Sequence, residues 1–224
     1  MCGATLAKLS QNGTRVGIID LTGGEMGTRG TARQREREAA ESARILGARF
    51  RETLDFGDGA LRTGDAEVIA LAERIREHRP RIVITSPRET RHPDHSKTAR
   101  LVADASFLAG LRKFPAKGKP HRPDRVLYGM ERYLFLPSFV VDVSKAWDTK
   151  MRALRAFESQ FHRPGAKGAK GAQTFISRPE FLEEIEARGR FFGEQVGVRY
   201  GEPFLSDIPP KVDDLLGAFG GLEP

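Results

Sequence analysis

The stretch Arg81-Ile82-Val83-Ile84-Thr85-Ser86-Pro87, which runs on to Arg91-His92-Pro93-Asp94-His95 and then to Ser96–Leu108, decides the fold. Ile82 to Thr85 favour extended backbone and Pro87 closes the run, so the segment reads as a short buried strand, and Ser96–Leu108 reads as a helix. A strand feeding a helix through a polar loop is the unit of open α/β sheets, which bind ligands at the carboxyl edge of their strands. At that edge this loop carries two imidazoles and a carboxylate. Such a set can supply a zinc ligand, a group that orients it, and a group that moves a proton or steadies an oxyanion. An HxxH spacing also arises by chance, so the spacing alone leaves an ordinary surface loop open.

The same unit recurs upstream. Arg15–Thr22 reads as a strand that enters the glycine-rich loop Gly23–Thr31, and a helix follows over Ala32–Leu46 with Ala39, Ala40, Ala43 and Leu46 on its inner face. Asp65–His78 places Val68, Ile69, Leu71, Ala72 and Ile75 on one helical face, and Pro80 closes it. Downstream, Asp124–Met130 and Phe139–Ser144 read as strands, and Lys145–Phe161 and Glu180–Val196 as helices. Ser177-Arg178-Pro179-Glu180 is a capping signal for the last of these. The expectation is an α/β, three-layer sandwich with a mostly parallel sheet. The glycine, alanine and lysine bias of 163–172 predicts a mobile loop, either a plain insertion or a lid, and 208–224 predicts a flexible tail.

The 224 residues fit one α/β domain with a full core, and 39% hydrophobic with 30% charged residues is a globular composition. No apolar run approaches the ~20 residues of a membrane span, and no signal-peptide pattern opens the chain. A single cysteine, Cys2, excludes an internal disulfide and a multi-cysteine zinc site and suits a reducing compartment, so the cytoplasm is expected. The net charge of +7 favours an acidic partner or an anionic small molecule. Basic residues interleave with acids, as in Arg33–Glu38, and no nucleic-acid-binding signature accompanies them, so neither nucleic acid nor membrane is an expected partner.

Several stations along the chain, in order, carry a resemblance. They are Gly3-Ala4-Thr5-Leu6-Ala7-Lys8, the loop Leu21–Thr31 with Arg35 and Glu38, Arg91–His95, His121-Arg122-Pro123, Pro137–Ser144, Glu158-Ser159-Gln160-Phe161 and Gly197–Phe204. The chain resembles the LmbE-like (PIG-L superfamily) zinc-dependent N-acetylglucosamine deacetylases, most of all those of bacillithiol biosynthesis that act on N-acetylglucosaminyl malate. The resemblance implies a Rossmann-like sandwich and a deacetylase domain over residues 1–207. It implies that His95 is a zinc ligand, that His92 steadies the oxyanion as an imidazolium, and that Asp94 orients or charge-balances an imidazole. It assigns sugar contacts to Glu25, Arg35 and Asp58. Without the resemblance, Arg35 would read as an exposed helix charge and the two acids as turn residues. The family also implies an anionic amino-sugar conjugate as substrate and a homo-oligomer.

The family pattern opens with a strand and a His-Pro-Asp-Asp segment that supplies two further zinc ligands and the general base. Met1-Cys2-Gly3-Ala4-Thr5-Leu6 matches the residues just after that segment. The expected fold therefore lacks the family's first strand and the expected zinc site is incomplete, since a catalytic zinc takes about three protein ligands and a water. The chain as given is expected to fold poorly alone. A deacetylase of another N-acetyl sugar conjugate and a degenerate, non-catalytic relative stay open as alternatives.

Overall fold

The computed structural model describes residues 1–162 and 172–220. The glycine- and lysine-rich stretch is outside the described residues except for its last member, as is the end of the tail. In chain order the elements are α1 (Gly3–Gln11), β1 (Gly17–Asp20), α2 (Ala32–Leu46), β2 (Phe50–Thr53), α3 (Asp65–His78), β3 (Ile82–Thr85), α4 (Pro93–Leu108), β4 (Arg125–Gly129), β5 (Phe139–Asp142), α5 (Trp147–Arg155), α6 (Glu180–Glu194), β6 (Gly201–Ser206) and α7 (Leu215–Phe219). The fold is α/β, with helices and parallel-containing sheets. β1 pairs in parallel with β2, Gly17 opposite Phe50, and β3 pairs in parallel with β4, Ile82 opposite Arg125. β6 runs antiparallel to β4, and the four-stranded sheet has the order β3-β4-β6-β5. Among the described residues no helix is long and apolar enough to cross a membrane.

The chain divides into two compact units, one of Met1, Gly59–Phe139 and residues 203–220, the other of Cys2–Asp58 and Val140–Glu202. In the first, α3 buries Val68, Leu71, Ala72 and Ile75, and α4 buries Ala99, Leu101, Val102 and Ala105. Tyr128 and Phe204 are among the largest side chains fully removed from water. Arg76 is buried on α3, where its guanidinium donates to the carbonyls of Ala109 (3.0 Å), Leu111 (2.7 Å), Ala116 and Gly118 (3.4 Å). One side chain thus supplies donor partners to a loop that has no sheet ladder of its own.

The second unit is built around Ala4, Ala7, Leu46, Val143, Ala146, Trp147, Met151, Ala153 and Tyr200. Trp147 and Tyr200 stack with ring centroids 4.4 Å apart. Buried Glu202 accepts the N–H groups of Ala4 (3.1 Å) and Thr5 (2.7 Å) at the start of α1 and the ammonium of Lys150 (2.7 Å). The carboxylate satisfies helix donors that lack intrahelical acceptors. Cys2 is a buried free thiol, pushed up to about 11, first by burial and then by the Glu202 charge.

Three expectations need correction. α4 begins at Pro93 rather than Ser96, because His92 caps it and proline suits the first helical position. α5 ends at Arg155 rather than near Phe161, because buried Glu38 takes both the N–H (2.8 Å) and the hydroxyl (2.7 Å) of Ser159 and so competes with helical bonding there. The buried face of α2 is Glu38, Ser42, Ala43 and Leu46, whereas Ala40 is exposed. The polar pair Glu38 and Ser42 lies inward, so apolar periodicity misplaced the face by a fraction of a turn.

Candidate functional site

In the first unit the sequence runs from β3 through residues 86–92 into α4, so the imidazole pair sits on the first turn of a helix, not in a loop. Asp94 N–H donates to His92 Nδ1 (3.3 Å), which makes His92 the cap of α4. His95 lies three residues on, and the two rings are 4.9 Å apart between centroids and inclined by 30°. A ring nitrogen that accepts a backbone N–H carries no proton. That bond leaves Nε2 as the nitrogen with which the His92 ring can donate.

The carboxylate bonded to His95 is Glu131, at 2.9 Å from Nδ1. Thr90 Oγ1 donates to the same Glu131 oxygen at 2.6 Å. The Glu131 hydrogen bond raises the pKa of His95 above the usual imidazole value against the effect of burial, and the charges of Glu131 and Asp94 add to it. Burial pushes Glu131 up, but its bonds with His95 and Thr90 outweigh this and hold it below the usual carboxylate range. Asp94 turns into the protein and is 6% exposed, with Oδ1 3.4 Å from Lys97 Nζ and Oδ2 buried without a hydrogen-bond partner. It acts on His95 as a charge.

The second unit gathers the other expected residues. Glu25 Oε1 accepts Gly23 N–H (2.8 Å), Glu25 Oε2 accepts Asp58 N–H (3.2 Å), and Asp58 Oδ2 accepts Met26 N–H (2.9 Å). The two acids thus clasp the glycine-rich loop to the segment after β2. Arg35 Nη1 donates to the Gly24 carbonyl (2.9 Å), and a Cβ at Gly24 or Gly27 would run into the guanidinium. Those glycines make room for Arg35, and Gly24 also holds a positive φ of 72°. Backbone N–H bonds, its own first, hold Glu25 below the usual carboxylate range against a slight effect of burial. The loop is further tied by Arg29 Nε to the Ser159 carbonyl (2.9 Å) and by Gln160 Nε2 to the Arg29 carbonyl (2.7 Å). This explains why Glu38 and the Glu158–Phe161 station occur in one chain.

Zinc asks for about three nitrogen, sulfur or oxygen donors converging on one point. His95 has the arrangement of a metal-binding histidine, with one ring nitrogen held by a carboxylate and Nε2 uncommitted. Among the described residues, however, no group of three or more His, Cys, Asp or Glu side chains is placed to hold a metal ion. One donor fits; the described residues do not complete a zinc site.

The α/β fold itself is shared with solved structures. A conserved protein of Thermus thermophilus superposes with a TM-score of 0.86 at 39% identity, over 96% of this chain and 91% of that one. The profile of the PIG-L family, described as GlcNAc-PI de-N-acetylase, matches residues 1–106. Over that stretch, just under half of its length, the chain is similar to the PIG-L family. It is 35% identical over 178 residues to the diacetylchitobiose deacetylase of Thermococcus kodakarensis, across 71% of this chain and 64% of that protein. It is 26% identical over 151 residues to the 4-oxalmesaconate hydratase of Pseudomonas putida, across 62% and 55%. The chain thus spans less than two thirds of the length of these curated relatives.

Glu131 escaped the sequence reading, although a signal existed. It lies two residues beyond β4, at the same carboxyl edge of the sheet as the histidine segment after β3.

Proposed function

We propose that the protein is a deacetylase that hydrolyses the acetamide of an N-acetylated amino sugar to acetate and a free amine. The His92/His95 pair at the head of α4 carries this reading, because an N–H donor and a free ring nitrogen on rings 4.9 Å apart suit an amide whose oxygen gains charge as water adds to its carbon. The C–N bond then breaks and the amine nitrogen takes a proton. Kinship with a diacetylchitobiose deacetylase supports a short N-acetylglucosamine oligosaccharide as substrate. N-acetylglucosaminyl malate, the substrate implied by the sequence resemblance, is supported by the net charge of +7, which attracts its carboxylates. Glu25, Arg35 and Asp58 are proposed to meet sugar hydroxyls, since carboxylates and guanidinium groups bond them in pairs. Zinc is the proposed cofactor, and when bound it polarises a carbonyl or acidifies a water. His95 is its proposed ligand in this chain. The cytoplasm is the proposed location.

The test is release of primary amine, with and without added zinc, from diacetylchitobiose, N-acetylglucosaminyl malate and an inositol-linked N-acetylglucosamine. Amine from any of them supports the reading, and the fastest names the substrate. Kinship with a hydratase gives a second reading, addition of water to a carbon–carbon double bond. No amine from the panel, together with loss of the ultraviolet absorbance of 4-oxalmesaconate, would replace the first reading by the second. Sugar binding without either reaction would mark a non-catalytic relative.

A further inference from the structure

We propose that Glu131 is a positioning residue that fixes His95 as its Nδ1–H tautomer, so that the His92/His95 pair offers one ring lone pair and one ring N–H. The use made of that pair rests on the deacetylase reading; the tautomers rest on geometry alone.

An ionised carboxylate accepts hydrogen bonds and cannot donate them. With Glu131 Oε2 2.9 Å from His95 Nδ1, the proton between them belongs to the ring, and the Nε2 of a neutral His95 is left with its lone pair. Three features keep this arrangement from averaging out. Thr90 Oγ1 donates to the same oxygen at 2.6 Å, which holds the carboxylate in place. The Glu131 side chain is 18% exposed, so water competes poorly for it. His95 lies in the first turn of α4 and Glu131 only two residues past the end of β4, so regular structure anchors the one and closely precedes the other.

His92 is set the opposite way. Its Nδ1 accepts the N–H of Asp94, so a neutral His92 holds its proton on Nε2. Two imidazoles three residues apart therefore present different faces. His92 offers an N–H suited to an oxygen that gains negative charge, and His95 offers a lone pair suited to a metal ion or a proton. A histidine free in water favours Nε2–H, so without Glu131 both rings would present the same kind of group.

The experiment is a long-range 1H–15N correlation spectrum of the 15N-labelled protein, taken at a pH where the rings are neutral, with His92→Ala and His95→Ala spectra for assignment. The expected spectrum has His95 protonated on Nδ1 and His92 on Nε2. Glu131→Leu should move the His95 proton to Nε2 and leave His92 unchanged. On the best substrate of the panel it should lower kcat by about 10- to 100-fold with little change in KM. Wild-type His95 protonated on Nε2 would overturn the proposal. So would a Glu131→Leu protein that melts cooperatively yet keeps Nδ1–H. Should that variant fail to fold, the wild-type spectrum still decides. Correct tautomers in a wild type that releases no amine would instead remove the deacetylase reading and leave the role of Glu131 standing.

Discussion

At the head of α4, the neighbours of two histidines three positions apart give them different work. His95→Ala removes the one ring nitrogen that suits a metal ion, so it should lower both zinc bound per chain and turnover. His92→Ala removes an N–H donor and a helix cap, so it should lower turnover more than zinc content, with a stability loss of about 1 kcal/mol from the cap. Metal analysis beside amine release separates the two, and equal zinc in wild type and the His95 variant would remove the ligand assignment. A different residue governs the response to acid. Burial pushes Glu202 up, but the Lys150 charge and hydrogen bond and the Thr5 N–H outweigh it, so its folded pKa lies below the ordinary 4.5. A carboxylate depressed in the folded state adds stability above its unfolded pKa, and that stability is lost as pH falls from about 4.5 through the folded value. Thermal stability should therefore fall on acidification below about pH 4.5, and Glu202→Leu/Lys150→Met should flatten that dependence. Lys150→Met alone strands a buried charge and should cost about 3–5 kcal/mol at neutral pH. The histidines were legible in the sequence because they lie only three positions apart. Glu131 was not, because its bond to His95 spans 36 positions and exists only once β4 lies beside β3.

Among the elements, those with end signals could be read and those without could not. The bounds of α2 and α3 match expectation because Thr31 and Gly47 close α2, Gly64 and Pro80 flank α3, and apolar residues recur at helical spacing between them. β2 escaped because Arg51 interrupts its apolar pattern; the charge is tolerated because its guanidinium pairs with Asp20 on the adjacent strand at 2.6 Å. β6 escaped because Gly201 and Pro203 argue against a strand, and the fold accepts them where the ladder to β4 begins only at Phe204. Arg76 acts at this scale as well, since its guanidinium organises four carbonyls of the loop between α4 and β4. Arg76→Met keeps the bulk of the side chain but removes this donor. The Ala109 and Leu111 carbonyls still accept the N–H groups of His121 and Phe114, so the cost of about 1–3 kcal/mol per buried group that finds no water falls on Ala116 and Gly118. We expect a lower melting temperature and faster amide hydrogen exchange over residues 109–118, with exchange in β1 and β2 unchanged. Uniform acceleration across the chain would show that Arg76 supports the whole fold rather than its loop.

Over the whole molecule, charge and apolar surface are both unevenly spread. Residues 110–125 hold six basic residues against the single acid Asp124, which accounts for five of the seven net positive charges. The interleaving seen in Arg33–Glu38 therefore does not describe the chain as a whole. Apolar exposure is likewise concentrated in the first unit, where Leu134 and Leu136 of the β4–β5 connection and Leu215, Leu216 and Phe219 of α7 are each at least 67% exposed. α7 has five residues, too few to persist in water by helix propensity alone, and none of them is buried. Leucine side chains left in water each forgo about 1.5–3 kcal/mol of burial. Contact with a second copy of the chain would recover part of that, which gives a physical reason for the self-association expected from the family resemblance. Light scattering during size-exclusion chromatography should then give a mass that is a multiple of 24.8 kDa. Leu134→Ser/Leu136→Ser and Leu215→Ser/Leu216→Ser each replace exposed apolar groups without disturbing a buried one, so each should shift the mass toward the monomer while the melting temperature at low protein concentration stays put. A monomeric wild type would remove the self-association, and an unchanged multimer in both variants would place the contact on another face.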